Sequence, residues 1–172
     1  MEIITYVREG AITHQDSMGN KGRTGAGDVQ VMSAGTGVRH AEYNLEDEKT
    51  TLFQIWVQTD RPGAEPGWGA RRFPKDGRAG GFVTLASGFA DDEEALRINA
   101  AARVLGATLK AGETAELSLD PARHVYLVAV GGAIEVNGRR AEPRDGVAVT
   151  GEERLTIIAL DDDAEIVLVD AR

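Results

Sequence analysis

The chain predicts an all-β protein built from two unequal barrels of the jelly-roll type. Three observations carry that expectation. Short β-branched runs recur between Gly, Asp and Asn punctuation along the 172 residues. Only residues 91–97 resemble a helix, and that segment is acidic first with an apolar stripe too short to bury against a core. The order of turns and strands in the first half also returns in the second, as an internal duplication does. Many short strands with regular turns and almost no helix are the pattern of a sandwich or barrel.

In chain order, the first set of strands is expected at residues 2–7, 11–15, 29–32, 38–43 and 51–58. Residues 59–81 follow, with three of the five prolines and six glycines, a composition that favours a linker or long excursion over a packed element. The second set is expected at 82–85, 102–109, 115–119, 124–130, 133–137, 147–149, 154–159 and 165–170. Arg8-Glu9-Gly10-Ala11-Ile12 is answered by Val130-Gly131-Gly132-Ala133-Ile134. Gly27-Asp28-Val29-Gln30-Val31 has a looser echo in Asp145-Gly146-Val147-Ala148-Val149, and the run from Phe53 to Val57 has one from Glu165 to Val169. The copies are unequal, because the second has a long stretch of strand pattern ahead of its glycine turn and the first has nine residues. The expected organisation is an N-terminal barrel at 1–60 lacking its opening strands, a linker at 61–81 and a C-terminal barrel at 82–172.

Composition excludes several function classes. Net charge is −9 and the basic residues are scattered, so a polyanion would be repelled and direct nucleic-acid binding is not expected. No apolar stretch approaches the roughly 20 residues that span a bilayer. The first ten residues read as strand rather than as a signal peptide. With no cysteine there is no disulfide, thiolate metal site or cysteine nucleophile, and the expected setting is the cytoplasm.

The chemistry concentrates at His40-Ala41-Glu42. Successive side chains of a strand alternate, so His40 and Glu42 share a face. An imidazole and a carboxylate are two of the three or four donors a mid-row divalent metal takes; the bland reading is a surface pair. His14, two residues before Asp16, has as its ordinary reading a half-exposed, turn-adjacent polar residue, and as its alternative a substitute ligand in the same interior. His124 belongs to the second copy, where no His-x-Glu pair follows. The glycines between 19 and 37 form turns, since no phosphate-loop pattern is present. Arg71-Arg72 and Arg139-Arg140 read as solvated pairs, and the acidic runs at 91–94 and 161–163 lack calcium-loop spacing. Trp56, in a run apolar on both faces, reads as core or inter-barrel packing, and Trp68 as an aromatic anchor in the proline-rich excursion.

Met1-Glu2-Ile3-Ile4-Thr5-Tyr6-Val7-Arg8-Glu9-Gly10, then His14-Gln15-Asp16-Ser17-Met18-Gly19-Asn20, then Gly35-Thr36-Gly37-Val38-Arg39-His40-Ala41-Glu42-Tyr43-Asn44, resemble the pirins. Leu52-Phe53-Gln54-Ile55-Trp56-Val57 extends the match. The resemblance is close over residues 1–60 and general in pattern thereafter. It implies a bicupin, a tandem cupin or double β-barrel, whose first barrel holds one divalent metal, usually iron, through three His and one Glu. His40 and Glu42 match two of those ligands. The other two histidines belong to a His-Pro-His-Arg-Asp segment that would lie ahead of Met1. The resemblance therefore implies a first barrel truncated at its N-terminus, a site mostly free of metal, and impaired activity. Sliding the first copy onto the second sends the two missing histidine positions to Ser118 and Asp120, so the second barrel is expected to be structural. The activity implied is metal-dependent quercetin (flavonol) 2,3-dioxygenation, with a flavonol-like small molecule as partner. The alternative is a non-catalytic regulatory module acting through protein partners. Missing opening strands would also leave exposed strand edges that favour self-association.

Overall fold

The computed structural model describes residues 1–172, which form seventeen strands and one 3-10 turn. They divide into two compact units, Met1–Pro74 with Ala86–Ala101, and Lys75–Leu85 with Ala102–Arg172.

The first unit is built from β1 (Glu2–Glu9), β2 (Ala11–Asp16), β3 (Lys21–Gly25), β4 (Val29–Ser33), β5 (His40–Tyr43), β6 (Thr51–Val57) and β7 (Gly67–Arg71). One sheet has the order β6-β1-β4-β7 and the other β3-β2-β5, with antiparallel pairing throughout. β4 is buried along its whole length and β1 over its first six residues, so both faces of these central strands are covered. That is why their sequences, Ile-Ile-Thr-Tyr-Val and Val-Gln-Val-Met, read as near-continuous rather than alternating. Glu2 is buried on β1, where it accepts hydrogen bonds from Ser33 Oγ at 2.5 Å and the Asn99 backbone N–H at 3.0 Å. Those bonds offset part of the cost of removing a carboxylate from water.

After the 3-10 turn η1 (Lys75–Arg78), the chain runs through β8 (Val83–Ser87), with which β9 (Leu96–Arg97) pairs in parallel. The second unit then adds β10 (Arg103–Leu109), β11 (Thr114–Ser118), β12 (His124–Gly131), β13 (Ile134–Val136), β14 (Arg139–Ala141), β15 (Gly146–Thr150), β16 (Arg154–Ala159) and β17 (Ala164–Ala171). Its core collects the inward residues of both sheets, among them Leu109, Leu127, Ile134, Leu155, Ile157, Ile166 and Leu168, all fully buried. β12 shows the alternation directly: Val125, Leu127 and Ala129 point in, while Tyr126 is exposed.

The duplication is visible in the pairing. β1 lies between β4 and β6 as β12 lies between β15 and β17; β2 lies between β3 and β5 as β13 lies between β14 and β16. In both copies a glycine in the left-handed region ends the first of these strands, Gly10 at φ 68° and Gly131 at φ 96°. At Gly10 a side chain would also strike the Lys49 carbonyl and Thr50. The copies differ at their edges: β17 has β10 as a second neighbour and β16 has β11, whereas β6 and β5 end their sheets.

Every strand expected from the sequence is present within two residues at either end. Four strands were not expected: β3 (Lys-Gly-Arg-Thr-Gly), β7 (Gly-Trp-Gly-Ala-Arg), β9 and β14. They carry too few apolar residues to show a period of two. Two expectations are corrected. Residues 91–97 form turns and β9 instead of a helix, with Asp92 accepting from Ser87 Oγ at 2.5 Å. The proline-rich stretch is also not all linker, because β7 pairs with β4 over five residues, from Val29↔Arg71 to Ser33↔Gly67.

Candidate metal centre

Strand register assembles the site. β2 and β5 pair antiparallel with His14 opposite Glu42 and Asp16 opposite His40. Residues directly opposite in a sheet share a face, so these four side chains stand together, and Gly22 of β3 lies opposite His14 on its other side. One donor atom each of His14, His40 and Glu42 falls within 4.8 Å of the others. His14 is fully buried, Glu42 partly buried and His40 exposed, so one side of the cluster is open to solvent. The half-exposed His14 expected from the sequence is thereby corrected: it is an interior residue, its ring 5.6 Å from that of His40. The pair His40 and Glu42 is joined by a third donor.

His14 is held on two sides. Its Nε2 lies 3.1 Å from Asp16 Oδ2. Asp16 also accepts the backbone N–H groups of Met18 and Asn20 at 2.9 and 3.0 Å and the Asn20 side-chain amide at 2.9 Å. Burial pushes the Asp16 carboxyl up, but the hydrogen bonds from Asn20, His14 and Met18 outweigh it and hold the group at about 2. The Trp68 indole stacks on the His14 ring with centroids 5.0 Å apart and planes 9° from parallel. Trp68 therefore packs on the His14 imidazole rather than pinning a loop. His14 Nδ1 is buried without a hydrogen-bond partner, and a buried polar atom left unpaired is costly.

Glu42 is oriented by two glutamines from the opposite sheet. Gln30 Nε2 donates to Glu42 Oε1, and Gln54 Nε2 donates to Oε2 at 2.9 Å. Both glutamines flank Thr5 of β1 in register, so they form one row across the sheet. Thr24 Oγ1 fixes the Gln30 carbonyl at 2.9 Å, and Trp56 Nε1 fixes that of Gln54 at 3.0 Å. Trp56 is 64% exposed, which corrects its reading as core: it ends a hydrogen-bonded chain that reaches Glu42.

The donor set suits a metal. Two imidazoles and one carboxylate form the set typical of non-haem iron oxygenases, leaving coordination positions for other ligands. The orphaned Nδ1 and the carboxylate that holds the opposite ring nitrogen are the arrangement usual around a metal-bound histidine.

The family model for Pirin matches residues 1–57, and that for the quercetinase C-terminal cupin domain matches residues 84–171. A pirin-like protein of Caulobacter vibrioides is 63% identical over 99% of this chain and 73% of the relative. The chain belongs to the pirin family. A quercetin 2,3-dioxygenase of Escherichia coli K12 is 38% identical over 99% of this chain and 72% of its own length. The solved structure of the bacterial pirin YhhW in complex with nickel(II), from Escherichia coli, superposes with a TM-score of 0.88 at 37% identity, covering 99% of this chain and 72% of that one. The all-β tandem cupin fold is thus that of the pirins.

Three site residues of this pirin lay outside the sequence reading, Gln30, Gln54 and Trp68 in its actual place, and the last of the site residues, His14, was expected as an interior donor only as the lesser alternative. A signal existed for the last. His14-Gln15-Asp16 has the same two-residue spacing as His40-Ala41-Glu42, and strand alternation puts His14 and Asp16 on one face.

Proposed function

We propose that this chain is a metal-dependent dioxygenase of flavonol-type substrates, using His14, His40 and Glu42 as protein ligands. The observation that carries the reading is the convergence of two imidazoles and a carboxylate within 4.8 Å. Quercetin 2,3-dioxygenase among the relatives supports the substrate class. The nickel(II) complex of a relative supports a divalent metal, and the donor set favours iron. A metal bound here would supply Lewis-acid binding of a substrate's adjacent oxygens and a place for dioxygen. The protein's part is positional. Gln30 and Gln54 hold the Glu42 carboxylate, Asp16 and Trp68 hold the His14 ring, and exposed His40 keeps the cluster open to ligands from solvent. With three donors in place instead of two, the premise for a metal-poor, impaired chain weakens.

The test is to load the purified chain anaerobically with ferrous iron, measure iron per chain, then add quercetin and air. About one iron per chain and oxygen-dependent loss of the flavonol absorbance are expected. His14→Ala, His40→Ala and Glu42→Ala should each abolish both. Full iron loading with no flavonol turnover would leave a metal centre of another function; no iron would remove the reading.

A second reading, a regulatory module acting through protein partners, is favoured by the open β5 and β6 edges with exposed Tyr43, Leu45 and Trp56 nearby in sequence. It predicts partner capture that survives a chelator. The cytoplasm is the proposed setting; no helix is long and apolar enough to cross a membrane.

A further inference from the structure

We propose that the chain pairs with a second copy of itself through β15 (Gly146–Thr150), edge to edge and antiparallel, with Ala148 on the two-fold axis. The surface belongs to the second unit and does not depend on the metal centre.

The internal duplication marks this edge. β15 stands beside β12 as β4 stands beside β1. β4 has a further neighbour, β7, paired with it over five residues from Val29↔Arg71 to Ser33↔Gly67. β15 instead ends its sheet, so its outward N–H and C=O groups meet no strand. Five residues suffice for docking in this fold, and β15 has five. Its sequence, Gly-Val-Ala-Val-Thr, carries no charge and no proline, the devices that ordinarily blunt an edge. Arg144 at φ 76° and Gly151 at φ 74° bound it on either side.

Three features fit a second copy. The first is register. Residues opposite each other on antiparallel strands share a face, so the axis must fall on a residue. Only an axis at Ala148 pairs all five: Gly146 with Thr150, Val147 with Val149, and Ala148 with its counterpart. The second is packing. Val147 and Val149 are half-buried against the core of the second unit. The pairing sets Val147 of each copy against Val149 of the other, and such β-branched cross-strand contacts extend that core. The outward residues Gly146, Ala148 and Thr150 are small and exposed, so no long side chain obstructs the approach. The third is charge. Arg144 lies two residues before Gly146 and Glu152 two residues after Thr150, and both are exposed. The two-fold brings Arg144 of one copy to the end that carries Glu152 of the other, and it does so at both ends. These unlike charges offset part of the repulsion between two chains of net charge −9. The symmetry closes on two copies, so the product is a dimer.

The chain has no cysteine, so one introduced thiol reports the contact. Ala148→Cys on the axis meets its counterpart at a Cα separation of about 4.5–5.5 Å, within the span of a disulfide. Thr150→Cys, on the same edge, lies four residues from its counterpart, about 14 Å along the strand, and cannot bridge it. Under a mild oxidant Ala148→Cys should become covalent dimer while Thr150→Cys stays largely monomeric. The cross-link reads β15 alone and is blind to association through the β6 edge. Added to Ala148→Cys, Glu152→Arg should slow cross-linking about threefold or more, as two surface ion pairs become like-charge contacts. It does so although the chain becomes less acidic. Arg144→Glu on top of Glu152→Arg should restore the rate. All four positions are exposed, and far-ultraviolet circular dichroism checks that each variant is folded. Cross-linking that is absent from Ala148→Cys, or equally fast through Thr150→Cys, overturns the proposal. So does a Glu152→Arg chain that cross-links as fast as its parent or faster, since net charge rather than this register would then govern the encounter.

Discussion

Trp68 stacks on His14 across a glycine. The two rings are 9° from parallel, and a β-carbon added at Gly22, the residue opposite His14 on β3, would lie 2.2 Å from the indole. Gly22 therefore provides the space through which the indole reaches the imidazole.

Gly22→Ala should force the indole or the strand to move, since the colliding atoms belong to a rigid ring. Overpacking of this kind costs about 1–3 kcal/mol. Chemical denaturation should show that loss, and near-ultraviolet circular dichroism should show a changed indole environment. An unchanged spectrum at full stability would mean the stack is not constrained by this position.

Removing Gln54 should separate orientation from stability. The Gln54 side chain is exposed, so Gln54→Ala should change unfolding by no more than about 0.5 kcal/mol, as for an ordinary surface substitution. It frees one oxygen of Glu42 and releases Trp56. Nickel titration should show about a tenfold weaker site, the lower end of effects from lost outer partners. Equal affinity would show that Gln30 alone orients the carboxylate.

The second unit should be less stable at neutral than at mildly acid pH. Burial pushes Glu165 from its ordinary 4.5 up to about 7, although Lys75 Nζ lies 3.1 Å from one of its oxygens. The lysine side chain is 38% exposed, and screening by solvent limits its pull. Between those two values the folded chain keeps a proton that the unfolded chain has released. Rising pH therefore favours unfolding across that window, and the effect levels off above about 7. Melting temperatures at pH 5 and pH 8 should differ in that direction, and Glu165→Gln should remove this part of the difference. A stability that rises across the window in the parent and not in the variant would contradict the assignment.

The β6 edge should self-associate. Its seven residues, Thr-Leu-Phe-Gln-Ile-Trp-Val, carry no charge and no proline, and none of the usual devices that block edge pairing is present on the strand. Sedimentation velocity over a concentration series should show dimers or larger species. Trp56→Lys, at a 64% exposed position on that edge, should shift them toward monomer. A monomer at every concentration would argue that the edge is protected in solution.

The sequence determined the fold class, the thirteen apolar strands and the duplication, because alternation and turn residues are local signals that survive without knowledge of contacts. It also determined that His40 and Glu42 share a face, since that follows from two-residue spacing on one strand. Tertiary structure decided the rest of the centre. Which strand lies beside β5 is a matter of register, and only the pairing of His14 with Glu42 brings a third donor into reach. Gln30, Gln54 and Trp68 act from the facing sheet, across distances that no local pattern encodes. Burial of His14 likewise depends on Trp68, contributed from a glycine-rich segment without a strand period of its own. A strand's own residues fix which way its side chains point; its neighbours fix what they meet.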